Sequence, residues 1–309
     1  DIISQNLAID NLKKFVNSKK IPHLIFTGPA GTGKTSSALV LAHKLLGNDC
    51  KERGLLLELN ASDNVRMGYI RNVLKEFVNQ SIFSQSSGEN LGKIVILDEA
   101  DNIPGVVQQA LRRIIERSSG NVIFIFLCNY INRIIDPLIS RCAVLRFAPL
   151  NKEKIISRLK FIIEKENISI KNQDLLLNIL FFISMGDLRK AINALQMAVA
   201  LEIVDDLKLE EIYTISGYLK PETIEQLFDA LKLGRINDLR DILKALRGYS
   251  SRNLMRQILL KISQEKTLNN IKLAKIYNYF GEYEFRITQG SDSEIQLVAL
   301  LNIVSRELR

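Results

Sequence analysis

Cysteine is scarce in this chain. Cys50, Cys128 and Cys142 are the three in 309 residues, and no two of them stand in a C-x-x-C pair. Neither a disulfide framework nor a cysteine-held zinc site is indicated, and a reduced compartment is expected. No apolar run approaches the roughly 20 residues that span a bilayer, and no signal-peptide pattern opens the sequence. The expectation is a cytosolic protein, not secreted and with no membrane partner. Internal repeats and long low-complexity tracts are also missing. Acidic residues number 34 against 42 basic ones, giving a formal charge of +8 and a pI near 9.3. An excess of that size permits nucleic-acid binding without establishing it. The remainder, 47% hydrophobic and 25% charged, is globular composition. At this length one ordinary core does not suffice, and two or three domains are expected.

What the chain does have is a glycine-rich run in a specific setting. Gly28, Pro29, Ala30, Gly31, Thr32, Gly33, Lys34 and Thr35 follow a short apolar run, Leu24–Thr27, and precede a helical pattern from Ser36 to Leu46 that Gly47 ends. Strand, loop and helix form the context that a phosphate-binding loop requires. The glycines let backbone close around phosphates, and successive N–H groups with the helix N-terminus attract negative charge. Lys34 is expected to reach the terminal phosphates, Thr35 to hold Mg²⁺ and Ser36 to extend the ATP-binding run. The chain is therefore expected to bind a nucleoside triphosphate.

Four further short apolar runs, 54–59, 93–97, 122–127 and 143–147, alternate with helical patterns across residues 1–150. Nearly continuous apolar strands between helices imply a parallel sheet covered on both faces, an α/β fold. The serine-rich stretch Gln80–Asn90 reads as a loop. After Pro149 strand signals nearly vanish, and helical patterns such as 155–159 and 191–198 take over. Ser216–Pro221 is a plausible linker, and 222–309 is again helical with a turn at 289–292.

Asp98 and Glu99 stand where the apolar run 93–97 ends. Strand C-terminal ends line the ligand crevice of an open parallel sheet. Asp98 can then hold the Mg²⁺ shell, and Glu99 can orient and polarise an attacking water. Asn129 ends the next apolar run.

Together these residues carry a family resemblance over nearly the whole chain. The run Asn60-Ala-Ser-Asp63, the Asp98-Glu-Ala-Asp101 turn, Gln108-Gln-Ala-Leu-Arg-Arg113 and Cys128-Asn-Tyr130 resemble an AAA+ clamp loader. Ser140-Arg-Cys142 is similar to that family's Ser-Arg-Cys signature and Gly186-Asp-Leu-Arg189 to its lid motif. The stretch Glu284–Gln296 resembles the collar of the replication factor C small-subunit family, with the archaeal type favoured over the eukaryotic one. The resemblance implies an AAA+ P-loop NTPase domain over 1–150, a small helical lid over 151–217 and an all-helical collar over 218–309. It implies an ATPase stimulated by DNA and clamp, in a pentamer with a large subunit and other small-subunit copies. That assembly would open a sliding clamp of PCNA type and load it onto primer–template DNA, in the cytoplasm of an archaeon or the nucleus of a eukaryote. Asn129 would sense the terminal phosphate or position the water, Arg141 would complete a neighbouring subunit's site in trans, and Arg189 would contact the terminal phosphate in cis.

A DNA-facing surface is partly readable from helical spacing. Val107, Ala110, Leu111 and Ile114 share one face of a helix over 106–117, with Arg112 pointing away and Arg113 at the border. Ile70, Val73, Leu74, Phe77 and Val78 line the buried side of a second helix, leaving Arg71 and Lys75 stacked outside. In clamp loaders these helices follow the DNA backbone, so phosphate contact is the preferred reading. Aromatic interleaving is missing, so binding should be insensitive to sequence and sensitive to salt.

Two departures stand out. The family's Glu-Arg-Gly after Asn-Ala-Ser-Asp is here Asn64-Val-Arg66-Met-Gly68, so the basic residue that helps relay DNA binding is displaced. The sequence also starts after the position of the family's Tyr-Arg-Pro element, which implies an incomplete N-terminus. Two rivals remain: a ring motor of the branch-migration type, and a mainly structural nucleotide-binding subunit of the loader.

Overall fold

The computed structural model describes residues 5–18, 20–61, 67–79, 92–118, 120–204, 208–234, 249–265 and 268–309, with side chains from 72 onward in the segment 67–79. Two compact units emerge: residues 1–165 with 184–192, and residues 166–183 with 193–309.

The first unit is built on five parallel strands: β1 (His23–Thr27), β2 (Leu56–Asn60), β3 (Lys93–Asp98), β4 (Val122–Cys128) and β5 (Cys142–Arg146). Their order across the sheet is β2-β3-β4-β1-β5. Leu24 and Phe26 face one side of the sheet and Ile25 the other, the two-residue alternation of a strand buried on both faces. On the first side lie Ala8 and Leu12 of α1 (Asn6–Ser18) and Ala38, Leu41 and Ala42 of α2 (Lys34–Leu46). On the second, Leu74 and Phe77 of α3 (Met67–Asn79) and Leu111, Ile114 and Ile115 of α4 (Gly105–Ser118) pack against Val95, Phe124 and Phe126. Each such large apolar side chain, taken fully out of water, contributes about 1.5–3 kcal/mol.

Beyond β5, which the short helix α5 (Asp136–Ile139) precedes, no further strand occurs among the described residues. Helix α6 (Lys152–Lys165) belongs to the first unit, as do the first turn of α8 (Leu188–Ala200) and the Ser184–Asp187 turn before it. Among the described residues, the second unit holds nearly all of α7 (Gln173–Ser184), the rest of α8, and five more helices. These are α9 (Glu211–Ile215), α10 (Pro221–Leu233), α11 (Ser251–Ser263), α12 (Asn270–Thr288) and α13 (Ser293–Leu308). Leu227, Leu231, Ile258, Ile262, Ile276, Phe280, Leu300 and Val304 from the last four make a continuous core. Caps set the helix starts: Ser250 accepts from the Asn253 N–H, Asn269 from Lys272, and Asp292 from Glu294 and Ile295. Pro221 occupies the first position of α10, where its missing N–H costs nothing. Residues 216–220 of the expected linker form the turn between α9 and α10, with Pro221 already in the helix, and residues 289–292 are the turn expected between α12 and α13. The expected loop at 80–90 lies outside the described residues.

Candidate active site

The strand order decides what meets at the site. β4 lies between β1 and β3, so its C-terminal end falls between the glycine-rich loop after β1 and the carboxylates after β3. The loop leaves β1 with Gly28 N–H bonded to the Cys128 carbonyl at 3.2 Å and enters α2 at Lys34. A Cβ on Gly28 would lie 2.0 Å from the Phe147 carbonyl oxygen, and one on Gly31, where φ is +68°, would lie 1.7 Å from Asp187 Oδ1. Neither position admits a side chain.

Lys34 is the charged centre of this loop and is almost fully buried. Its Nζ donates to the carbonyls of Gly28 and Pro29 at 2.6 and 2.8 Å, and to Asn129 Oδ1 at 2.9 Å. Burial lowers its pKa; the negative charges of Asp98 and Asp101 work against that shift, and the Arg189 guanidinium adds to it. An ammonium with short fixed partners and a second cation nearby is arranged for an anionic ligand. Thr35 Oγ1 donates to Asp98 Oδ2 at 2.9 Å. Hydroxyl and carboxylate form a pair of hard oxygen donors, the set that suits Mg²⁺. The remaining loop residues behave as a frame: Thr32 Oγ1 donates to the Pro29 carbonyl at 2.9 Å, and Ala30 and Ser36 are loop and first-turn positions.

Glu99 takes a left-handed conformation, φ +53°, which few non-glycine residues adopt. Its N–H donates to Asp98 Oδ1 at 2.8 Å, and its Oε2 accepts from Asn102 Nδ2 at 3.1 Å. The strained turn points Asp98 and Glu99 to different partners from adjacent positions, as strain at a functional site often does.

Three supporting side chains had no role in the sequence reading, although Asp101 and Asp187 stand within the motifs quoted for the family. Asp101 is buried, and its Oδ2 accepts from the Asn129 and Tyr130 N–H groups at 3.3 and 3.2 Å. Its Oδ1 is buried without a hydrogen-bond partner among the described residues. Gln5 reaches the Thr32 carbonyl at 3.3 Å and both backbone groups of Ala148, at 2.9 and 3.1 Å. Asp187 caps α8 by accepting from the N–H groups of Arg189 and Lys190 at 2.9 and 3.2 Å, while Leu188 N–H donates to the Gly31 carbonyl at 3.3 Å. That cap holds the backbone of Arg189 beside the loop. The signals were present only in part: an acid three residues beyond a strand end, and an Asp one residue after a glycine at a helix start.

Arg141 has other neighbours. Its Nη1 donates to the Pro137 carbonyl at 2.7 Å and Nη2 pairs with Glu116 Oε1 at 2.6 Å, none of them in the phosphate loop. Helices α3 and α4 border a groove of about 750 Å³ whose lining includes Lys75, Arg112, Arg113 and Glu116, with Arg117 as a cation the sequence reading omitted. Arg66 and the Arg71 side chain lie outside the described residues. The buried face of α4 is also rotated from expectation. Gln108 joins Leu111, Ile114 and Ile115 inside, while Val107 and Ala110 are only half-buried. Gln108 is there because its amide ties three backbone groups. It donates to the carbonyls of Ile103 and Arg133 at 2.8 and 2.9 Å and accepts from the Ile135 N–H at 2.9 Å. Its i, i+3, i+7 spacing to Leu111 and Ile115 was the available signal.

Comparison with known proteins gives concordant findings. Residues 24–150 match the ATPase family associated with various cellular activities (AAA), and residues 219–302 match the replication factor C C-terminal domain. The chain is 41% identical over 305 residues to the replication factor C small subunit of Saccharolobus solfataricus, covering 97% of this chain and 89% of the relative. It is 39% identical to that of Aeropyrum pernix, covering 100% and 94%. It is 38% identical to that of Archaeoglobus fulgidus, covering 99% and 93%. Among solved structures, a Thermotoga maritima RuvB variant superposes with a TM-score of 0.54 at 15% identity, over 75% of this chain and 78% of that one. That last likeness is one of fold alone.

Proposed function

This chain belongs to the replication factor C small-subunit family, and we propose that it is an ATP-hydrolysing clamp loader subunit that helps open a sliding clamp of PCNA type and load it onto primer–template DNA. The observation that carries the reading is the convergence of Lys34, Thr35, Asp98, Glu99 and Asn129 at the ends of three adjacent strands. The functional division is the one implied by the resemblance: a nucleotide-binding domain over 1–150, a lid over 151–217 and a collar over 218–309.

Thr35 and Asp98 would hold Mg²⁺, which would supply charge neutralisation on the terminal phosphates. The chain's own groups do the rest. The loop from Gly28 to Gly33 presents N–H groups to the phosphates, with Ser36 in the first helical turn behind them. Lys34 exchanges part of its carbonyl cage for phosphate oxygens. Glu99 orients the attacking water and takes up its proton, and Asn129 holds Lys34 and the water in register. Arg189 meets the terminal phosphate in cis, and a neighbour's Arg141 stabilises the developing charge in trans, where a permanently charged planar guanidinium is suited to the task. Lys75, Arg112, Arg113 and Arg117, with Arg66 and Arg71, contact DNA phosphates. Partners are the large subunit and other small-subunit copies, a pentamer in all. The site of action is the cytoplasm in an archaeal cell; among the described residues no helix is long and apolar enough to cross a membrane.

The test is ATP turnover by the assembled complex with clamp and primed DNA. Glu99→Gln is expected to lower kcat by about 100-fold or more while ATP still binds. Unchanged turnover would remove Glu99 from the mechanism. Stimulation of turnover by DNA without any clamp, coupled to strand unwinding, would favour the ring-motor reading instead.

A further inference from the structure

Glu116 has no part in the proposed chemistry, yet its Oε1 sits between two side chains that do. It accepts from Arg112 Nε at 3.0 Å and from Arg141 Nη2 at 2.6 Å. The donors come from different elements. Arg112 lies one turn back on α4 and lines the basic groove, whereas Arg141 stands on the turn ahead of β5. Both guanidinium groups hold the Glu116 carboxyl below the usual carboxylate range, the hydrogen bond from Arg112 being the larger cause. Arg141 is anchored at its other end by Nη1, which donates to the Pro137 carbonyl at 2.7 Å and to Ser140 Oγ at 3.3 Å. The three side chains stay 34–40% exposed, within reach of solvent and of ligands. Exposed ion pairs are individually weak. Such a contact makes a poor staple and a good exchangeable link.

We propose that Glu116 is a positioning residue coupling the basic groove to the arginine that acts in trans: a DNA phosphate that takes Arg112 removes one guanidinium from Glu116 Oε1 and leaves the pair with Arg141 in place. The inference rests on the roles given above to Arg112 and Arg141. Both contacts are single bonds to one carboxylate oxygen, not bidentate forks, and a phosphate that offers the fork competes well for a guanidinium. Once Arg112 has turned to the phosphate, Glu116 fixes the direction of Arg141 from one side while Pro137 fixes it from the other. A guanidinium oriented before the neighbouring site reacts raises kcat and leaves the affinity for ATP unchanged.

The experiment uses the complete complex with its clamp, with and without primer–template DNA. Glu116→Gln, which keeps shape and removes charge, is expected to lower the DNA-stimulated kcat about tenfold with KM for ATP unchanged. Arg112→Gln removes the competing guanidinium without DNA, and is expected to raise the DNA-free rate about threefold. That rise disappears when both substitutions are combined. Should Glu116→Gln complexes not assemble, the Arg112→Gln rate decides alone, and no rise overturns the coupling. If Glu116→Gln leaves basal and stimulated rates within about twofold of the unsubstituted complex while Arg141→Ala is inactive, the coupling is wrong and the proposed function stands. Normal hydrolysis by Arg141→Ala would overturn both.

Discussion

At the scale of single residues, burial decides behaviour more than identity does. Cys142 shows this. Its thiol is pushed up from the usual value near 9.0 to about 12 because burial disfavours the thiolate, with Arg141 only partly offsetting the shift. At pH 8 the folded chain then holds about a thousandfold less thiolate at this position than a free cysteine does. Cys142 should resist iodoacetamide in the native protein and react after unfolding in urea, as read by mass spectrometry of the alkylated peptide. Linkage gives a second readout of the same shift. The unfolded chain loses this proton first as pH rises, so the folded state loses stability between about pH 9 and about pH 12. Cys128 is also raised by burial, and Thr27 and Lys34 oppose the shift there.

At the scale of elements, the loop and the start of α8 act as one piece. Gly31 leaves no room for a Cβ beside Asp187, and Asp187 in turn caps the helix that carries Arg189. Gly31→Ala forces both a strained left-handed alanine and a displaced cap, at a cost of about 1–3 kcal/mol. Nucleotide affinity should fall along with the melting temperature, and an unaltered affinity in a calorimetric titration would mean the loop tolerates separation from α8. This pairing also marks the limit of what could be read from sequence. Gly28–Thr35, Asp98, Glu99 and Asn129 were legible because each sits at the end of an apolar run, a local signal. Gln5 and the Glu116–Arg141 pair were not, since their partners lie 25 to 143 residues away, and the approach of Asp187 to Gly31 depends on how the start of α8 meets the loop. The face of α4 was mis-centred for a related reason. A glutamine counts as polar in any hydrophobic pattern, but Gln108 is buried to satisfy three backbone groups.

At the scale of the whole molecule, part of the basic excess behind the net charge of +8 is gathered in one place. Lys75, Arg112, Arg113 and Arg117 share one groove on the first unit, on the opposite face of the sheet from α1 and α2. Binding carried by such cations should weaken with a log–log salt slope of about −0.9 per neutralised phosphate and ignore base sequence. Anisotropy titrations of the complex on two unrelated primed duplexes at several salt concentrations check this. A strong preference between duplexes, or a flat salt response, would relocate the DNA contact. Lys75→Ala should reduce the slope rather than change any preference. The sequence showed two regions by the loss of strand signals after residue 149. It did not show that the first turn of α8 joins the first unit while the rest of that helix joins the second.

One small feature bears on practice at the bench. Gln5 spans from the Thr32 carbonyl to the backbone of Ala148, so a single amide stitches the start of α1 to the nucleotide loop and to the segment leaving the sheet. A fluorophore or tag attached beside that residue is therefore no passive appendage. It tugs on a stitch in the nucleotide loop, and labels for measuring ATP binding belong elsewhere on the protein.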